Sequence, residues 1–127
     1  MFDERGTYTG NPPSDAYCVD LLAREEVLLV VALANEEVIG GIAAYLLRKF
    51  EQARSEIYIY DLAVAEPCRR AGVATALLDE VRRIGREAGA WTIFVQADVV
   101  PEDEPARALY RKLAVDEITA LHFDIAP

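Results

Sequence analysis

Residues 56–75 constrain the fold more than any other stretch of this chain. They run Glu-Ile-Tyr-Ile-Tyr-Asp-Leu-Ala-Val-Ala-Glu-Pro-Cys-Arg-Arg-Ala-Gly-Val-Ala-Thr. Ile, Tyr and Val dominate the first half, which reads as a buried strand, Glu56–Ala65. A basic turn containing Gly72 then opens a helix over Val73–Ala88. There Ala74, Leu77, Leu78, Val81, Ile84 and Ala88 recur at helical spacing, with Arg82, Arg83, Arg86 and Glu87 off that stripe. A strand that runs through a turn into a helix aims backbone N–H groups and the positive helix end at one spot, which suits an anion such as a pyrophosphate. Asp61 sits inside the apolar strand, so the same segment also offers a group able to handle a proton.

The other elements follow from pattern. Residues 1–13, with Gly6, Gly10, Pro12 and Pro13, read as a loose arm. Ser14 or Asp15 caps a short helix to about Ala23, with Ala16, Val19 and Leu22 as its apolar positions. Val27–Ala34 is continuous and rich in β-branched residues, which predicts a strand buried on both faces. A turn at Asn35-Glu36-Glu37 returns the chain into a second strand, Val38–Leu47, making a hairpin. Gly40 and Gly41 inside that strand predict a close backbone approach or a bulge. Arg48–Ser55 is a charged loop. After the long helix, for which Gly89 is the C-cap, come a strand at Trp91–Ala97, a short helix at Ala106–Leu113 opened by Pro101–Pro105, and a last strand at Glu117–Ile125. This order predicts one mixed α/β domain over 1–127, in which a helical crossover joins parallel strands.

Composition narrows the partners. The chain has 127 residues, enough for one domain with a real core, and 53% of them are hydrophobic. Its 13 basic and 22 acidic residues give a net charge of −9. That sign excludes nucleic acid and favours a polycationic small molecule or a basic peptide, although acidity also serves plain solubility. Cys18 and Cys68 lie far apart, and there is one histidine, so neither a disulfide framework nor a metal site is expected. The N-terminal Asp3 and Glu4 do not resemble a signal peptide, and the apolar run Val38–Leu47 falls short of the ~18 residues a membrane span needs. A cytoplasmic location is the expectation.

The turn Arg69-Arg70-Ala71-Gly72-Val73-Ala74 has neither the G-K-[ST] of a P-loop nor a G-x-G-x-x-G fingerprint. Its pattern, R-x-x-G-x-A between a strand ending Asp-Leu-Ala-Val and a Leu-rich amphipathic helix, resembles the coenzyme A signature of the GCN5-related N-acetyltransferase superfamily. A second family element stands at the expected distance, Ala108-Leu109-Tyr110-Arg111-Lys112-Leu113. The resemblance spans roughly Val27 to Ile125. Residues 49–64, together with Val95-Gln96-Ala97-Asp98 and His122-Phe123-Asp124-Ile125, are similar to the aminoglycoside 3-N-acetyltransferases of the gentamicin-resistance type.

The resemblance implies a mixed central sheet flanked by helices, here lacking the family's usual first strand and most of its first helix. It implies acetyl-coenzyme A as co-substrate, with no metal. Backbone groups of Arg70, Ala71, Gly72, Val73, Ala74 and Thr75 would hold the pyrophosphate, with Arg69 and Arg70 adding charge. The edge at Leu62, Ala63 and Val64 would pair with the pantetheine arm as if it were another strand. Asp61, in phase with Ile57, Ile59 and Ala63 unless a bulge shifts the register, would bind the acceptor's ammonium groups and help remove a proton. Its other reading is a structural cap or a partner for a core tyrosine. The branch places Tyr60 near the acetyl group, and Tyr110 would protonate the leaving thiolate; each also reads as a core aromatic. Asp98 and Asp124 extend an acidic acceptor site or sit in surface turns. His122 reads as a surface or interface residue, Trp91 as core, and Arg82, Arg83 and Arg86 as a solvated ridge. In the family pattern a Gly follows Lys-Leu, where this chain has Ala114, and Cys68 has no evident role.

Three functions stay open on these residues. One is transfer of acetyl to the 3-amino group of an aminoglycoside. The second is the same chemistry on another amine, such as a polyamine or a protein lysine. The third is a non-catalytic domain that binds coenzyme A or a partner. An exposed sheet edge and the resemblance both predict a homodimer.

Overall fold

A computed structural model describes residues 12–127, so nearly all of the expected N-terminal arm lies outside the described residues. Two compact units divide the chain, one reaching Gln96 and the other running from Ala97 to Pro127.

The first unit is built from α1 (Asp15–Leu22), β1 (Val27–Ala34), β2 (Glu37–Arg48), β3 (Ser55–Val64), α2 (Val73–Ala88) and β4 (Thr92–Val95). Ser14 caps α1, its hydroxyl accepting the Tyr17 N–H at 3.1 Å. The hairpin between β1 and β2 turns on Asn35 and Glu36, both left-handed at φ 51° and 67°, the geometry that matches the twist of its flanking strands. Strand order is β1-β2-β3-β4. The first three strands are antiparallel, and β4 runs parallel to β3 after the crossover through α2. The expected mixed sheet with its parallel crossover is therefore present.

One face of the sheet carries the core. Ile42, Ala44, Ile57 and Ile59 meet Leu77, Leu78 and Val81 of α2, all buried. Close approach is built in at two glycines. A Cβ on Gly40 would stand 3.1 Å from the Ala63 carbonyl and 3.1 Å from Val73 Cγ1, and one on Gly85 would stand 3.3 Å from Ile57 Cδ1. Arg82 and Arg83, on the outer side of α2, pair with Asp79 and with Glu80 and Glu87, as a solvated ridge should.

Several expectations are corrected here. β1 is not buried on both faces: Leu29, Val31 and Leu33 are exposed, because α2 covers only the opposite side and β1 lies at the sheet edge. Val19 and Leu22 of α1 are exposed too. Trp91 is not core. It precedes β4, lies mostly in solvent, and carries the Arg54 guanidinium 3.5 Å above its ring. The strand expected at Trp91–Ala97 is shorter, Thr92–Val95. Among the described residues no helix is long and apolar enough to cross a membrane.

The second unit holds α3 (Glu104–Leu113), entered by a single tight turn over Pro101–Asp103. Arg107 ties this entry together, donating to the carbonyls of Asp98 and Val100 and to the Glu104 carboxylate. The strand expected at Glu117–Ile125 is absent as a paired element, and residues 114–127 belong to no helix or strand. A strand exists only through its ladder, and this segment has no partner strand among the described residues.

Candidate active site

The decisive local event is a bulge in β3. Its ladder with β2 pairs Ile59 with Ala44 and then Asp61 with Ala43, so Tyr60 is the extra residue. Opposite residues in an antiparallel pair share a face. Ile57 and Ile59 therefore face α2 with Leu46 and Ala44, while Asp61 leaves that face and joins Ala43 on the other side. The expected phase of Asp61 with Ile57 and Ile59 is thus overturned by one inserted residue.

On this second face stands a group of aromatic rings. Tyr60 meets Tyr45 edge-on at 6.1 Å and Tyr58 at 5.7 Å between centroids, and Tyr58 stacks on Phe94 at 4.7 Å. The Tyr58 hydroxyl donates to Gln96 Oε1 at 2.9 Å. Burial first, then the neighbouring Tyr60 and Asp61, push the Tyr58 phenol above its ordinary value. Asp61 lies half-buried beside these rings and makes no side-chain hydrogen bond or ion pair among the described residues. Burial pushes its carboxyl up from the ordinary 3.8. It behaves as an unpaired, partly desolvated carboxylate, which favours a cationic or proton-bearing ligand over a structural cap.

The bulge also marks where the sheet opens. The parallel ladder ends at Ile59↔Val95, so from Asp61 to Val64 strand β3 is paired, among the described residues, with β2 alone. The direction of its free polar groups follows from one bond. The Ala65 N–H donates to the Ile39 carbonyl at 2.8 Å. Alternation along an antiparallel ladder then turns the backbone groups of Asp61 and Ala63 toward β2 and those of Leu62 and Val64 toward the open edge. The Arg69 Nε reaches the Val64 carbonyl at 3.0 Å, as this requires. Of the expected trio, Leu62 and the Val64 N–H face that edge, the Val64 carbonyl being taken by Arg69, while Ala63 faces β2.

β3 leads through a short turn, Glu66–Cys68, into the start of α2. Arg70 and Gly72 are both left-handed, at φ 64° and 81°. Gly72 stands at the N-cap of α2 and has no side chain to cap it, and the first turn carries no acidic residue. The Ala76 N–H is bonded to the Gly72 carbonyl, which leaves the earlier N–H groups of Val73, Ala74 and Thr75 without an intrahelical acceptor. A Cβ on Gly72 would meet nothing within 4 Å among the described residues. Glycine serves there for its φ and for room on the outer side. Chemically, this arrangement can pair with one extended chain at Leu62 and Val64 and hold an anion at the end of it.

The remaining expected residues lie in the second unit. Tyr110 is half-buried on α3, and burial first, then Asp103, push its hydroxyl above the ordinary 10.0. Asp124 accepts from His122 Nε2 at 2.7 Å, and Asp124 first, then Asp98, raise the imidazole above its ordinary 6.5. Asp98 and Asp124 are thus brought together about one histidine, a grouping that spacing along the chain does not reveal. Tyr58 and Tyr45 were also missed as members of the Asp61 face, because the bulge that gathers them leaves no mark in the residue pattern.

The open-edged sheet, the anion turn and the order of elements define the class: the chain belongs to the Acetyltransferase (GNAT) family, whose model matches residues 2–114. It is similar to a solved aminoglycoside acetyltransferase from an uncultured soil metagenomic sample, with 55% identity and a TM-score of 0.92 over 99% of this chain and 82% of the other. A second such enzyme from an uncultured soil metagenomic sample, solved with sisomicin, shares 26% identity and a TM-score of 0.77 over 90% of this chain and 76% of that one. Among curated proteins, the L-2,4-diaminobutyric acid acetyltransferase of Shouchella clausii (strain KSM-K16) is 33% identical over 67% of this chain and 45% of its own length. That of Marinococcus halophilus is 26% identical. The chain spans just under half the length of these curated relatives.

Proposed function

We propose that the protein is an acetyl-coenzyme A-dependent N-acetyltransferase that modifies an aminoglycoside at the 3-amino group of its deoxystreptamine ring. The observation that carries this reading is the departure of β4 from β3 at Tyr60, which leaves Leu62 and the Val64 N–H unpaired by any strand among the described residues, shortly before the N-terminus of α2. The residues fit the co-substrate. An extended amide-bearing arm matches the free edge, and a pyrophosphate matches Gly72 to Thr75, the first turn of α2 itself carrying no acidic residue. When bound, acetyl-coenzyme A supplies a thioester, an acyl group activated toward amines.

The chain's own residues would do the rest. Asp61 attracts the cationic amine and accepts a proton from it, its carboxyl made more basic by burial. The Leu62 N–H, free on the open edge, is suited to donate to the carbonyl oxygen as negative charge develops. Tyr110, kept protonated by its raised pKa, would supply the proton that the departing sulfur needs. Tyr60 would line the acyl position from the bulge. Asp98 and Asp124 would add acceptor charge, and the net charge of −9 favours a polycation at long range.

The aminoglycoside assignment rests on the two metagenomic relatives, and the ring position on residues 49–64 and 122–125. The curated matches favour a second reading, a small diamino acid as acceptor. A thiol-release assay with sisomicin and gentamicin against L-2,4-diaminobutyrate, spermidine and a lysine peptide separates them, and NMR of the product locates the acetyl group. Acetylation at the 3-amino position is expected. A product at another amine removes the positional assignment, and turnover confined to diaminobutyrate removes the aminoglycoside.

A further inference from the structure

Gln96 stands at the mouth of the opening between β3 and β4, one residue past the last rung, Ile59↔Val95. Alternation from Phe94 puts its side chain on the face that carries Tyr45, Tyr58, Tyr60 and Asp61, all within the first unit. Its place there is fixed from across the sheet. Tyr58 and Phe94 are register partners whose rings stack at 4.7 Å, nearly parallel at 6°, and the Tyr58 hydroxyl donates to Gln96 Oε1 at 2.9 Å. That bond commits the amide oxygen to the phenol and turns the Nε2 hydrogens away from it. Those hydrogens bond to nothing among the described residues, and Gln96 is exposed. The Asp61 charge acts on the same Tyr58 hydroxyl, after burial and Tyr60, so carboxylate and amide lie about one phenol. A carboxylate without a partner and an amide donor without an acceptor therefore share one open face, beside Tyr60, which is 62% exposed.

We infer that Gln96 is a specificity-determining residue for the acceptor, its Nε2 donating to a hydroxyl or ether oxygen carried near the amine that Asp61 attracts. The inference rests on the acetyl-transfer reading above and adds to it a chemical class. The acceptor is an amine with an oxygen close by, as in an amino alcohol or amino sugar, in preference to a plain polyamine. An ammonium and a nearby oxygen satisfy both unpartnered groups at once, whereas an unsubstituted amine leaves the amide to water. Tyr58 is a positioning residue: it acts through the bond that orients Gln96. Because Tyr58 stacks on Phe94 within the ladder, it ties that orientation to the sheet and not to the chain that follows β4.

Two matched cyclic diamines test it: deoxystreptamine, whose ring carries hydroxyls, and cis-1,3-diaminocyclohexane, the same ring without them. Thiol release from acetyl-coenzyme A gives kcat/KM for each, and inhibition of sisomicin acetylation gives the affinity of each. The wild type should prefer deoxystreptamine. Gln96→Met should reduce that preference by roughly threefold to tenfold, the worth of one hydrogen bond, and chiefly through KM. Comparing the ratio across variants cancels the intrinsic reactivity of each amine. Gln96→Glu keeps an acceptor for the Tyr58 hydroxyl but loses the donor, so it should reduce the ratio as Gln96→Met does. Tyr58→Phe should reduce it in part. Since Gln96 is exposed, its variants should keep the wild-type circular dichroism. A wild type without the preference, or a ratio unmoved by Gln96→Met or kept by Gln96→Glu, overturns this inference alone. Absence of turnover with sisomicin and every other amine overturns the acetyl-transfer reading, and this inference with it.

Discussion

Ile59 and Asp61 stand two residues apart on β3, yet their side chains emerge on opposite faces of the sheet. Tyr60, the bulged residue between them, breaks the two-residue period. Ile59 continues into the α2-packed core, while Asp61 joins Tyr45, Tyr58 and Tyr60 on the other side. The same bulge coincides with the last rung of the β3–β4 ladder at Ile59↔Val95. One inserted residue thus accounts for both the placement of the carboxylate and the opening beside it.

Asp61→Asn tests that placement. The amide keeps the shape and removes the charge, and no hydrogen bond or ion pair among the described residues is lost with it. Folding stability should stay within about 0.5 kcal/mol, as for substitutions without a structural partner. Turnover should fall by roughly 10²–10⁴-fold, with the coenzyme A dissociation constant nearly unchanged. In the wild type, turnover should rise with pH through an Asp61 midpoint lying above 3.8, because burial raises that carboxyl. Steady-state kinetics and calorimetric titration read both, and unchanged turnover would return Asp61 to a structural role.

Gly72→Glu tests the anion turn. Its φ of 81° makes any side chain there cost roughly 1–2 kcal/mol, although no atom of the described residues obstructs a Cβ. The carboxylate would lie at the helix end where a phosphate is expected, so coenzyme A binding should be lost. Gly72→Ala shares the strain without the charge and should retain measurable binding. Comparing the two by calorimetry separates backbone strain from electrostatic exclusion.

Tyr110→Phe removes a hydroxyl that burial holds in its protonated form. Loss of a general acid predicts a fall in kcat of roughly 10²-fold, with KM for both substrates little changed. The wild-type rate should hold through mildly alkaline pH and decline only above the ordinary phenol value of 10.0. A variant with full kcat would show that another group, or water, protonates the sulfur.

His122 reports on its acidic neighbours. Asp124 raises its pKa above 6.5, with a smaller contribution from Asp98. A raised imidazole favours the folded chain when charged, so this contribution is complete below 6.5 and disappears as pH climbs through the folded midpoint. NMR titration of the ring should give a midpoint above 6.5, and Asp124→Asn should lower it. An unmoved midpoint in that variant would mean the pair does not persist in solution.

Much of this was legible in the residues, and the exceptions share a cause. The helix stripe through Leu77, Leu78 and Val81, the hairpin at Asn35-Glu36, the tight approach at Gly40 and the Gly72 turn all rest on local chemistry. The bulge at Tyr60 rests on register with β2, which no run of β3 residues encodes. The exposed side of β1 and the solvent position of Trp91 depend on what covers them, not on their own hydrophobicity. The segment at 117–125 alternates as a strand does, but alternation cannot supply a partner, and the segment pairs with no strand among the described residues.

The contact between α2 and β3 offers a last prediction, at Gly85. In the middle of a helix a glycine costs about 1 kcal/mol relative to alanine, so Gly85→Ala would ordinarily stabilise. Here the added Cβ would stand 3.3 Å from Ile57 Cδ1 and 3.5 Å from Ile93 Cδ1, inside a core where Ile57 is fully buried. Crowding of this kind costs about 1–3 kcal/mol, so the single variant should be neutral to destabilised. Ile57→Val deletes the nearer methyl and alone should cost about 0.5–1.5 kcal/mol. Combined, the two should be more stable than the sum of the separate effects by about 1 kcal/mol, since the valine vacates the space that the alanine needs. Denaturant unfolding of all four proteins gives this coupling directly, and strict additivity would mean that α2 shifts away from β3 rather than pressing on Ile57.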